Sequence, residues 1–101
     1  MSNELFKQIA NEIKKQITKL NIVDKFTLFK ADEFSFTNRA MTQNKGNYYK
    51  IGYVMEIHHP LTGYKIIVDN SIEDVEIAAT EILSVMVKDF TEYFNNNPAR
   101  Q

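Results

Sequence analysis

His58 and His59 stand side by side, and they are the only histidines in a chain of 101 residues that contains no cysteine. Neighbours on a regular strand point to opposite faces, so these two rings cannot close on one metal ion. Without cysteine there is no thiolate metal site, no disulfide scaffold and no cysteine nucleophile. The chain carries no Gly-rich phosphate loop and no His-Glu-x-x-His element. No Ser–His–acid set can be picked out. Carboxylates do pair, as Asp32-Glu33 and Glu73-Asp74. The second pair falls where a helix opens, and acids there offset the helix dipole. The histidines read as polar residues beside a turn. The expectation is a non-enzymatic protein with no cofactor and no metal.

These residues sit on elements that the apolar spacing makes legible. Residues 3–20 read as a helix: Leu5, Ile9, Ile13, Ile17 and Leu20 recur at three- and four-residue steps, widened by Phe6 and Ala10, with Ser2 as N-cap. Residues 22–37 read as extended, with Phe26, Leu28, Phe34 and Phe36 in one parity and a break at Asp32-Glu33. Residues 38–47 are polar and without period, which predicts a long connection closed by Gly46. Residues 48–59 are the clearest strand. Pro60-Leu61-Thr62-Gly63 is a four-residue turn, with Pro suited to its first position and Gly to its last. Residues 64–69 return. That loop sets His59 opposite Tyr64, Ile57 opposite Ile66 and Met55 opposite Val68, and a one-residue slip would send one apolar set to the wrong face. Residues 72–95 read as a second helix, capped by Ser71 with Asp74 and ended by Asn95–Asn97 and Pro98.

The predicted order is α-β-β-β-α. Its simplest form is an α+β two-layer domain, an antiparallel three-stranded sheet with both helices on one face. It fills residues 1–101 as one domain, with a frayed tail from about residue 96. The order, the strand pair Tyr48–Val68 and the helix through Ala78-Ala79 resemble the double-stranded-RNA-binding domain. That family opens its second helix with a lysine cluster, where this chain reads Ser71-Ile72-Glu73-Asp74-Val75-Glu76. Its first interstrand loop carries a Gly-Pro-x-His element, absent from residues 38–47. The resemblance therefore implies a fold and carries no binding residue across, since phosphates would meet carboxylates.

Charge is split along the chain. The total is −1, but residues 1–50 carry a net +4 and residues 51–101 a net −5. No leader or membrane span is expected, because residues 1–20 alternate apolar and charged and no apolar run approaches about 20 residues. Ten Lys against two Arg, with ten Asn and eleven Ile, is the usage of AT-rich codons. That composition suggests a low-GC bacterium or its phage, and a cytoplasmic protein, in the host cell if phage-encoded.

The second helix has more apolar residues than one stripe uses. Ile77, Leu83, Val85, Val87 and Phe94 fall partly outside the row Ile72, Val75, Ala79, Ile82, Met86, Phe90 and Tyr93. The leading expectation is a small binding module acting by protein–protein contact, such as an inhibitor or accessory factor. Its partner face would comprise Glu81, Leu83, Val87, Asp89, Glu92 and Phe94, apolar anchors with a charged rim. A homo-oligomer falls within the same reading. The alternative is nucleic-acid binding through Lys14, Lys15, Lys19, Arg39 and Lys45, with Tyr48 or Tyr49 stacking on a base. A further alternative is a virion assembly component.

Overall fold

A computed structural model describes residues 2–20, 30–44, 46 and 49–96, with side chains inside 41–44, 49–52 and 93–96 left out of the description. The order is helix α1 (Asn3–Leu20), a 3-10 turn (Ala31–Glu33), strands β1 (Ser35–Asn44), β2 (Tyr49–His59) and β3 (Tyr64–Val68), and helix α2 (Val75–Asn96). The sheet is antiparallel, in the order β1-β2-β3. Both helices lie on one of its faces, the expected α+β two-layer arrangement, with the element order of the double-stranded-RNA-binding domain.

Helix α1 starts where Ser2 Oγ accepts the Leu5 N–H at 3.1 Å, which satisfies one of the amides that lack a partner in the first turn. Its buried stripe is Phe6, Ile9, Ala10, Ile13 and Ile17. That stripe meets Ala78, Ala79, Ile82, Leu83, Met86 and Phe90 of α2, and Met55 and Ile57 of β2, in one core. Gln16 ties the helices on their outer side through Thr80, 3.2 Å away.

The β2–β3 register is the one the turn demands: Met55 faces Val68, Ile57 faces Ile66 and His59 faces Tyr64. Gly63 closes the turn with φ at 78°, and its N–H donates to the His59 carbonyl at 2.9 Å.

Three expectations change. Residues 38–44 are strand, not connection. β1 pairs with β2 as far as Asn44 opposite Tyr49. Ladder bonds are made by backbone, and apolar alternation reports only a buried face. No described side chain between Thr37 and Tyr53 belongs to the core cluster, so this stretch had no need to alternate. The Asp32-Glu33 break is a 3-10 turn. Helix α2 begins at Val75, and its cap is Asp74, whose Oδ1 accepts the Ile77 N–H at 2.9 Å. Ser71 does not serve. Asn70 instead bonds both the N–H and the carbonyl of Ile72 and holds the approach extended. The reading of Phe26 and Leu28 lies outside the described residues.

β3 pairs only with the last five residues of β2, Met55 to His59. Among the described residues, the β1–β2 pairs from Arg39–Val54 to Asn44–Tyr49 have no third strand beside them. They form an arm of about 20 Å at ~3.4 Å per residue, along a molecule measuring 50 × 27 × 18 Å.

Candidate functional site

His59 faces the helices and is 2% exposed. Its Nε2 lies 2.9 Å from Glu33 Oε2 and its Nδ1 2.8 Å from Thr62 Oγ1. The carboxylate can only accept from a protonated Nε2, which in the neutral ring leaves Nδ1 to accept from the Thr62 hydroxyl. Hydroxyl, imidazole and carboxylate in series is the layout of a nucleophile, a base and an orienting acid. Here the ring forms a three-ring cluster with Phe34 at 4.7 Å and Phe90 at 5.6 Å, which also meet each other at 6.0 Å. Thr62 Oγ1 also accepts the Tyr64 N–H at 3.3 Å. The set works as a brace that pins the β2–β3 turn to the 3-10 turn 26 residues away. Tyr64 extends it: its hydroxyl donates to Asp89 Oδ2 at 2.7 Å. Burial, with the Asp89 carboxylate adding to it, pushes the Tyr64 phenol above its usual value.

The open face of the sheet carries a charge clamp. Glu56 accepts from Lys65 at 2.7 Å and from Arg39 at 3.4 Å. The Lys65 hydrogen bond holds the Glu56 carboxyl below the usual carboxylate range. Partial desolvation opposes this, and the Lys65 and Arg39 charges reinforce it.

The basic residues singled out in the sequence do not share a surface. Lys14, Lys15 and Lys19 are exposed on α1. Lys14 Nζ sits 5.3 Å over the Phe36 ring, on the helix side of the sheet. Arg39 binds Glu56 on the other side. Lys45 lies outside the described residues.

The expected partner face of α2 is also redistributed. Leu83 is 7% exposed and belongs to the core, because it stands one turn from Ala79 and Met86 and two turns from Phe90, on the same side of the helix. Val87 packs against that core, and Asp89 holds the Tyr64 hydroxyl. Of these three only Leu83 is buried, while Val87 and Asp89 are half-buried. Glu81 and Glu92 are exposed. The Phe94 side chain is outside the described residues.

The surplus apolar surface lies instead on Ile77, 53% exposed, and Val85, 46% exposed. They are eight residues apart on one helical line, with Glu81 midway. Glu81 and Val85 form one wall of a groove of about 390 Å³, and Ile66 to Val68 of β3 form the other. Ile82 lines it on the α2 side, and Asp69 to Ile72 close its end. Its charged lining residues, Asp69 and Glu81, are both acidic. Glu73, Asp74 and Glu76 are exposed nearby at the start of α2. Among the described residues β3 has a strand on one side only, so alternate backbone N–H and C=O groups along its outer edge face away from the sheet. Sequence reasoning named Ile77 and Val85 as off-stripe but did not choose them. Their eight-residue spacing around an acid was the available signal.

Among the described residues, no group of three His, Asp or Glu is placed to hold a metal ion, and no helix is long and apolar enough to cross a membrane. No protein-family model, curated protein or solved structure matches this chain.

Proposed function

We propose that this protein is a non-catalytic binding module, and that the groove between β3 and α2 receives an extended segment of a protein partner bearing alternating apolar and basic residues. The observation that carries this is the coincidence of three features in one place. They are a strand edge unpaired among the described residues, an apolar cleft beside it, and a lining whose charges are all negative. A strand laid along β3 gains main-chain hydrogen bonds from the edge, while every second side chain drops toward the cleft. Lysines or arginines on the partner meet Asp69 and Glu81, which favours correct partners and fast association.

The test is a titration of the isotope-labelled protein with an octapeptide alternating Val and Lys. An octapeptide alternating Val and Glu, and a short RNA duplex, serve as comparisons. The basic peptide should shift the amide signals of Ile66 to Asp69, Glu81 and Val85. Equal binding of the acidic peptide would overturn the reading. Stronger binding of RNA would move the function to the nucleic-acid class.

A further inference from the structure

The groove calls for an extended, basic, acid-free segment, and this chain contains one. From Phe34 to Met55 there are Arg39, Lys45 and Lys50 and no Asp or Glu at all. Within that stretch, residues 39–44 of β1 pair with residues 49–54 of β2 as the arm, which runs past the end of β3 with no third strand beside it among the described residues. Among the described residues its outer strand, β1, is the other edge of the sheet. Neither β1 nor β3 contains proline, and Lys65 of β3 is already committed to Glu56. Two of the usual devices that keep a sheet edge from pairing, a proline and a free lysine, are therefore missing from β3. The molecule thus presents at one edge of its sheet an acid-free strand, β1, whose Arg39 shares Glu56 with Lys65, and at the other a strand beside an acidic cleft.

We infer that the β3–α2 groove of one copy binds the β1–β2 arm of a second copy, so that β1 of the incoming arm continues the sheet at β3. This rests on the reading of the groove given above and names its occupant. The contact joins two different patches of the chain, one basic and one acidic. The arm carries Arg39 and Lys50 and no acid, and the charged residues lining the groove are Asp69 and Glu81, which favours arm against groove and opposes groove against groove.

The experiment is sedimentation of the full chain across a range of concentrations, at low ionic strength and in about 1 M salt, where the screening length falls to ~3 Å. The average mass should rise with concentration at low salt and return to that of the monomer at high salt. Two variants separate the patches. Arg39→Gln with Lys50→Glu changes the arm. Asp69→Lys with Glu81→Lys changes the groove, and both of those residues are exposed. Circular dichroism confirms that each is folded. Each variant alone should be monomeric. Mixed together they should form a one-to-one complex, because the intact arm of one fits the intact groove of the other. A wild-type chain that stays monomeric at every concentration overturns the inference, as does association that survives in either variant alone or variants that fail to recombine. If the wild type is monomeric while the Val–Lys octapeptide still binds, only the self-contact falls. If the peptide fails as well, the groove reading falls with it.

Discussion

Replacing Leu83 by Glu, and separately Val85 by Glu, sets two positions two residues apart on α2 against each other. Leu83 is 7% exposed among Ala79, Met86 and Phe90, whereas Val85 is 46% exposed beside Glu81. Removing the leucine forfeits about 1.5–3 kcal/mol of apolar burial. Forcing an unpaired carboxylate into the same place costs several kcal/mol more. The sum, about 5 kcal/mol or above, reaches into the whole stability of a domain of this size, about 5–15 kcal/mol. At Val85 the carboxylate stays in water. The main penalty is like charge one turn from Glu81 and Asp89, about 0.2–0.5 kcal/mol for each pair. Thermal melts followed by circular dichroism report the difference, since 1 kcal/mol moves Tm by about 4–8 °C in domains of this size. Leu83→Glu should lose its cooperative transition or melt some 20 °C or more lower, by the same conversion. Val85→Glu should stay within about 8 °C of wild type. A Leu83→Glu protein with an unchanged melt would show that Leu83 is surface, and would restore the partner face drawn from the sequence.

Ile57 is fully buried while its cross-strand partner Ile66 is half-buried. In chemical denaturation, Ile57→Ala should therefore cost about 2–5 kcal/mol and Ile66→Ala clearly less. Tyr64 has its phenol pushed up by burial and by the bond to Asp89. The stability it contributes is fully present below the unfolded value near pH 10 and is lost as pH rises beyond that, so Tyr64→Phe should flatten the alkaline fall in the denaturation midpoint. Asn38, opposite Met55, keeps its Oδ1 buried without a hydrogen-bond partner. Asn38→Leu should raise stability by about 1 kcal/mol, read from the same denaturation curves.

The parts of the fold legible in the sequence are those where a buried face imposes a period. The Ile9–Ile13–Ile17 stripe gave α1, and the alternation of Met55 and Ile57 around a Pro60–Gly63 turn gave the β2–β3 register. The part of β1 beyond Thr37 was not legible, because Asn38, Arg39 and Ala40 pair through their backbone and contribute nothing to the core cluster. The His59 brace was not legible either. Its acid, Glu33, is 26 residues away and belongs to no local pattern. On α2 the sequence showed an excess of apolar residues but not which of them the core would claim. Leu83 was claimed because its i−4, i+3 and i+7 neighbours all face inward. The groove arises between two elements, β3 and α2, and its charge emerges only when Asp69 and Glu81 are brought to the same cleft.

Backbone amide exchange along β3, with and without the Val–Lys octapeptide, tests the central claim most directly. In the free protein, at concentrations where the chain is monomeric, the amides of Tyr64 to Val68 that point away from β2 have no strand partner among the described residues. A bound strand must accept hydrogen bonds from them. The account predicts that saturating peptide slows exchange at alternate β3 residues and leaves the amides already bonded to β2 unchanged. Binding that leaves every β3 amide exchanging at its original rate would contradict it.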